Sequence, residues 1–234
     1  MIQIRLADGR GLTQLGWLKS QHSFSFGDYY DPDHNGFGTL RVINEDVVAP
    51  GQGFGKHPHR NMEILSIVLS GTLEHKDSMG NGSRIQAGDV QRMSAGTGVT
   101  HSEFNPSADE AVHFLQVWFV PNKQGMAPSY DQKSFDEKGR MGQLQLIVSP
   151  SGRDGSLTIH QNVDIYAGTL AHSSQGFDYV TLAGRRVWVQ VAKGQCHMNG
   201  HPLKAGDGAA VMDEERLTFT NGEDAEIYIF DMAA

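Results

Sequence analysis

Two short segments concentrate residue types that bind metals. In GFGKHPHRNMEI, residues 53–64, His57 and His59 flank a proline and Glu63 follows four positions after the second histidine. In SAGTGVTHSEFNPS, residues 94–107, His101, Glu103 and Asn105 alternate. Successive side chains of a strand point to opposite faces, so each set shares one face if its strand runs without a bulge. On that condition His57, His59, Glu63, Leu65, Ile67 and Leu69 point the same way, with Glu63 the one carboxylate on an otherwise apolar face. A carboxylate aimed into an apolar interior must be paired, protonated or metal-bound. A lone strand histidine is ordinarily structural; an HxH pair joined by an HxE pair favours a metal. Three histidines and two glutamates can converge from the two strands, donors that suit a borderline divalent ion. Two adjacent positions left open on such an ion would suit dioxygen chemistry, one for an organic oxygen and one for O₂. Ground-state O₂ is a triplet and reacts slowly with closed-shell organics, which favours a redox-capable ion such as Fe(II) over zinc.

The rest of the composition narrows the setting. Lys and Arg total 19 against 27 Asp and Glu, a net charge of -8, and no basic run could track a phosphate backbone. Direct nucleic-acid binding is therefore not expected. Cys196 is the single cysteine, which excludes an internal disulfide and a cysteine zinc site, so any metal must rest on His and carboxylate. MIQIRLADGR carries Arg5, Asp8 and Arg10 where a secretory signal needs an unbroken apolar run, and no stretch approaches membrane-spanning length. A cytoplasmic location without membrane contact is the expectation.

The elements that would position these residues are strands. Glycine contributes 28 of 234 residues, well above the usual ~7%, and separates short alternating runs such as IQIRL, HSFSF, TLRVIN, MEILSIVL, GTLEHKD, AVHFLQVWFV, QLQLIVS, RVWVQVAK, RLTFT and AEIYIFD. Asn81-Gly82, Asn199-Gly200 and Asn221-Gly222 supply hairpin turns. No segment holds a helical period, so the fold class is all-β. A polar, glycine-bearing stretch at 122–142 separates two strand-rich blocks. LSGTLEH followed by QAGDVQRMS in the first block is echoed by AKGQCHMNG followed by KAGDGAAVM in the second, which indicates one barrel duplicated.

These residues resemble the two motifs of the cupin superfamily. Gly51, His57, His59 and Glu63 fit the first motif, with Gly71 one residue late; Gly88, His101 and Asn105 fit the second, with Ser94-Ala95-Gly96 where Pro-x-Gly is usual. Within cupins the chain resembles the pirin family, densely through HSFSFGDYYDP, LRVINEDVVAPGQGFGKHPHRNMEI, EHKDSMGN and SAGTGVTHSEFNPS, and more thinly through RDGSLTIHQ and RRVWVQVAKG. Asn61 stands where the usual pirin phrase has an acidic residue. The resemblance implies two tandem cupin, jelly-roll-like β-barrels: a metal-binding barrel over 1–125, a linker over 126–142 and a degenerate, metal-free barrel over 143–234. The second half has no HxH, and His172 lies outside its strand pattern.

The resemblance also implies one divalent metal held by His57, His59, His101 and Glu103, with Glu63 nearby but not the main ligand. Spacing alone does not separate the two glutamates. Fe(II) is the leading ion, with Zn, Mn, Ni, Co and Cu the other candidates. Some pirins open the heterocycle of flavonols such as quercetin with O₂ and release carbon monoxide, so quercetin 2,3-dioxygenase activity on a flavonol-like substrate is the expected function. Coordination lowers a hydroxyl's pKa, and a neighbouring carboxylate, Glu103 first and Glu63 second, would take the proton. Phe54, Phe104 and His22, with Met79 and Trp118, are the candidates for lining the substrate pocket. Two other classes stay open: a metal-containing, redox-sensing regulator that docks a protein partner, and a zinc or manganese isomerase or hydrolase.

Overall fold

The structure, a computed structural model, describes residues 1–172 and 175–234. Among these residues, helix is confined to three single 3-10 turns at Ala7–Gly9, Glu137–Gly139 and Arg153–Gly155, and no helix is long and apolar enough to cross a membrane. The all-β expectation holds. The chain forms two compact units: residues 11–135 with 159–161, and residues 1–10, 136–158 and 162–234.

The unit built on 11–135 has two antiparallel sheets. The larger has seven strands in the spatial order Ser129–Ser134, Asp89–Ser94, Glu63–Ser70, Val112–Phe119, Leu40–Val48, Leu18–His22 and Gly11–Leu15. The smaller runs Gly53–His59, Val99–Phe104, Thr72–Asp77, Gly82–Gln86. Leu73 and Ile85 of the small sheet pack with Leu18, Val48, Val68, Val112 and Phe114 of the large one, so the core lies between them. Ile64, Met93, Ala95 and Val99 form a second apolar cluster. The other unit has one nine-stranded sheet, whose core is built on the alternating Val187, Val189 and Val191 and on Ile227 and Ile229.

Several boundaries differ from the sequence reading. Met1–Arg10 groups with the second half because Ile2–Arg5 pairs with Gly208–Met212. Part of the expected linker, Ser129–Ser134, is a strand paired with Asp89–Ser94. HSFSF is not a strand beyond His22, where the Leu18–His22 strand ends. RLTFT and AEIYIFD are one strand, Arg216–Ala233: Asn221 and Asp224 adopt left-handed φ values of 50° and 48°, absorbed as register shifts against its neighbour and not as a chain reversal.

The internal repeat is visible atom by atom at the two Ala-Gly-Asp turns. Gly88 and Gly206 have φ near 90°, which glycine adopts without steric cost. Asp89 accepts a hydrogen bond from Gln86 N (2.9 Å), and Asp207 accepts the corresponding one from Lys204 N (2.9 Å). They differ in burial, because Asp207 is buried and also accepts from Ala7 N at 2.7 Å. Asp207→Ala should therefore cost about 2–4 kcal/mol, since it strands a buried N–H, whereas Asp89→Ala should cost about 1 kcal/mol. Urea unfolding of the two variants checks this; equal losses would contradict the difference in burial.

Candidate metal centre

The centre begins with the register between two strands. His101 lies opposite His57 where Val99–Phe104 pairs with Gly53–His59, and a shift after this pair brings Glu103 opposite Phe54, so one extra residue forms a bulge near Gly55. The rings of His57, His59 and His101 have centroids 4.4 to 4.8 Å apart. One nitrogen from each lies within 4.8 Å of the others. A second group with the same spacing, His75, His101 and Glu103, shares His101.

The electrostatics favour neutral rings. Burial, followed by the neighbouring His101 and His57, pushes His59 down to about 4. Burial, followed by His57 and His75, pushes His101 down to about 3. Both rings are neutral at physiological pH, the form in which imidazole offers a lone pair. His57 Nδ1 lies 2.8 Å from the Gly55 carbonyl and donates to it, which leaves Nε2 as its lone-pair nitrogen. His101 Nε2 is buried and has no hydrogen-bond partner. A buried polar atom is rarely left this way, and a divalent ion coordinated by these nitrogens would satisfy it. The donor set fits such an ion.

Glu103 is held from the facing sheet: Ser66 Oγ donates to Oε1 (2.9 Å) and Gln116 Nε2 to Oε2 (2.8 Å). Alternation explains where these donors sit. On the inward face of Glu63–Ser70, Ser66 lies between Ile64 and Val68; on that of Val112–Phe119, Gln116 lies between Phe114 and Trp118. A polar band thus crosses the interior between two apolar clusters.

Beside it is a cavity of about 220 Å³ whose walls include His57, Glu103, Gln116, Phe26, Phe54 and Trp118. His22 and Asp46 also face it. His22 is fixed by Asn44 Oδ1 (2.7 Å) and Thr13 Oγ1 (2.9 Å). Phe26, Gly27 and Asp28 bring the start of the GDYYDPDHNG loop to the same wall.

Of the expected site residues, the structure gathers His57, His59 and His101 in one group and Glu103 with His101 in the second, and lines the cavity with Phe54 and His22. Phe104 is 39% exposed and away from the cavity, because the alternation that turns Glu103 inward turns its neighbour outward. Met79, 37% exposed, is also outside it.

Glu63 is the larger correction. Asn61, at φ 49°, breaks the run, so Gly53–His59 and Glu63–Ser70 belong to different sheets and parity does not carry across. With Ser66 inward, Glu63 lies on the opposite face, where Ser94 Oγ (2.9 Å) and His160 N (3.1 Å) donate to its Oε2. Asn61 accepts from Gly125 N with its side-chain oxygen (2.8 Å), a neutral turn contact. Asn105 is buried, but its amide donates to the Val48 and Glu110 carbonyls and is structural. His113 pairs with Glu45 at 2.9 Å, and His172 is exposed in a turn. Burial raises the Cys196 thiol to about 12, which makes it inert.

Two residues stand outside the expected site: His75, on a strand face that alternation alone does not orient, and Asp46. His75 is buried with its ring against His101, centroids 5.3 Å apart. Asp46 sits inward on Leu40–Val48, and its Oδ1 is buried with no hydrogen-bond partner. Burial pushes its carboxyl up from 3.8 to about 7; the Glu103 and Glu45 charges add to the rise and a Ser20 hydrogen bond opposes it. The only hint was an acid two residues before Val48 in a strand otherwise destined for the core.

Comparison with known proteins agrees with this architecture. The family model described as Pirin matches residues 5–119, and that of the quercetinase C-terminal cupin domain matches residues 146–232. The chain is 48% identical over 233 residues to the quercetin 2,3-dioxygenase of Escherichia coli strain K12, covering 99% of each. The crystal structure of the bacterial pirin YhhW from E. coli in complex with nickel(II) is similar at TM-score 0.94 and 46% identity, covering 100% of this chain and 99% of that one. YhaK from E. coli is similar at TM-score 0.75 and 31% identity over 90% and 92% of the two chains.

Asp46 gives a pH test of these electrostatics. Its folded-state pKa is raised, so between about pH 4 and about pH 7 the folded protein holds a proton that the unfolded chain has released, and stability falls as pH rises through that window. Asp46→Asn in metal-free protein should be more stable than the parent at about pH 8, by at most about 4 kcal/mol, and similar to it near pH 4. Urea unfolding at the two pH values measures the difference. A variant with the same offset at both would place Asp46 in a wetter setting.

Proposed function

The chain belongs to the pirin family of cupin proteins, and from that premise we propose that it is a metal-dependent dioxygenase that opens flavonols such as quercetin with O₂ and releases carbon monoxide. The observation that carries this reading is the cavity in which aromatic walls, two residues of the metal cluster and a carboxyl that burial raises to about 7 face one space. The nickel(II) complex of the E. coli relative supports a divalent ion here. We assign His57, His59, His101 and Glu103 as its ligands and Fe(II) as the ion. Such a metal, when bound, supplies redox-active coordination for O₂ and for a substrate hydroxyl.

The protein's own residues do the rest. Phe26, Phe54 and Trp118 form flat apolar walls that take a planar ring and keep water out. The cavity is small beside the ~300–1,000 Å³ of typical ligand pockets, so it holds the reacting ring system and leaves the remainder of a flavonol in the mouth. His22, held at both nitrogens, keeps a fixed ring on the cavity wall. Asp46 Oδ1 receives the flavonol hydroxyl proton, because a carboxyl titrating near 7 is matched to proton transfer at physiological pH. Ser66 and Gln116 hold both oxygens of Glu103, which suits a ligand better than a mobile base. Glu63, bonded on the far face, has no part in the proton transfer.

Metal-loaded protein incubated with quercetin should consume one O₂ and release one CO per substrate. His57→Ala and His101→Ala should lose both bound metal and CO release. Asp46→Asn should keep the metal and lose about 10²–10⁴-fold in kcat, while Glu63→Gln should stay within about twofold of the parent. Full metal loading with no CO from a panel of flavonols would sink the dioxygenase reading and favour a metal-dependent regulator that docks a protein.

A further inference from the structure

His101 is one end of a buried chain of hydrogen bonds. Its Nδ1 lies 3.4 Å from Nδ1 of His75, and Nε2 of His75 lies 3.2 Å from Oδ2 of Asp77. The side chains of His75 and Asp77 are both fully buried. The His75 ring is clamped against Tyr130, with centroids 4.9 Å apart and planes at 28°. Asp77 in turn is locked by the turn that follows it: Oδ1 accepts from Met79 N (2.8 Å) and Asn81 N (3.0 Å), and Oδ2 accepts from Asn81 Nδ2 (2.8 Å).

This connectivity has a direction. The Asp77 carboxylate only accepts, so the bond to His75 must be donated by His75 Nε2–H. If His75 is the neutral ring, which carries one proton, its Nδ1 is then a bare acceptor. The nitrogen facing it, His101 Nδ1, must donate, and the proton of His101 is accounted for. His101 Nε2 is left with its lone pair free on the ring that clusters with His57 and His59, and it is a buried atom with no hydrogen-bond partner. We infer that Asp77 and His75 are positioning residues that set the His101 tautomer through a relay and so prepare Nε2 for the metal. The inference rests on the assignment of His101 as a ligand in the proposed function, and it adds the device that makes this ring a ligand before any metal arrives. A carboxylate beyond a ligating histidine is a familiar arrangement; here a second histidine stands between them.

Asp77→Asn tests the direction because the turn dictates how the amide must lie. Its oxygen takes the place of Oδ1, facing the Met79 and Asn81 N–H groups, so its NH₂ faces His75. That donor reverses the chain: His75 accepts at Nε2, donates from Nδ1, and drives the His101 proton to Nε2. Long-range ¹H–¹⁵N spectra of metal-free protein, with His101 assigned from a His101→Gln variant, should show the proton on Nδ1 in the parent and on Nε2 in Asp77→Asn. Ni(II) affinity by equilibrium dialysis should fall about 10- to 100-fold. The double variant Asp77→Asn/Asn81→Asp restores the partner of the new amide and keeps the turn's charge, so a turn that was merely broken would recover in it, whereas the relay predicts the same weak binding. Ni(II) binding by the parent separates the two levels of the argument. A parent that fails to bind overturns the assignment of the centre. A parent that binds, but has its His101 proton on Nε2 or keeps its tautomer and affinity in Asp77→Asn, overturns the relay alone.

Discussion

Three imidazole rings packed at 4.4 to 4.8 Å in a largely buried space cannot all be charged. Burial and mutual repulsion keep the two deeper rings neutral, and neutrality forces a choice of which nitrogen carries the proton. Much of the surrounding structure answers that choice. The bulge near Gly55 turns a carbonyl toward His57, and the strand carrying His75 and Asp77 supplies the partner for His101. The facing sheet gives Ser66 and Gln116 to Glu103, so the acid beside the rings is hydrogen-bonded at both oxygens. Among the buried polar atoms without a partner, His101 Nε2 lies at the centre and Asp46 Oδ1 and Trp118 Nε1 belong to residues of its cavity wall.

Part of this was legible in the sequence for a local reason. Alternation along a single strand is a short-range rule, so His57 with His59 and His101 with Glu103 could be paired from spacing alone, and the motif resemblance joined the two pairs. The same rule failed at Glu63 because it was carried across Asn61, whose left-handed backbone ends one strand and lets the next begin in another sheet. Phe104 was misjudged for chemical appeal over parity. Asp46, His75 and Asp77 were out of reach for a different reason. Their roles depend on which strands become neighbours and on which face of a sheet meets the other, and no local pattern encodes that.

The fold class and low helix content were accessible because turn chemistry is also local. The two Ala-Gly-Asp turns keep the same side-chain-to-backbone hydrogen bond in both units, although one unit carries a metal cluster and the described residues of the other do not. What the two units share at these turns is the means of reversing the chain. The unit boundaries were harder to see, because pairing of Ile2–Arg5 and of Ser129–Ser134 is decided by distant partners.

That the unit holding the metal cluster borrows Ile159–Gln161 from the far side of a segment belonging to the other unit has a consequence for how the molecule could have been built or taken apart. His160 supplies a backbone donor to the buried Glu63 carboxylate, so a fragment ending at Phe135 would retain the acid and its Ser94 partner and lose one of the groups that steady it. Neither unit is a spare part: recombination that swapped one sequence half whole would sever a stitch belonging to the other.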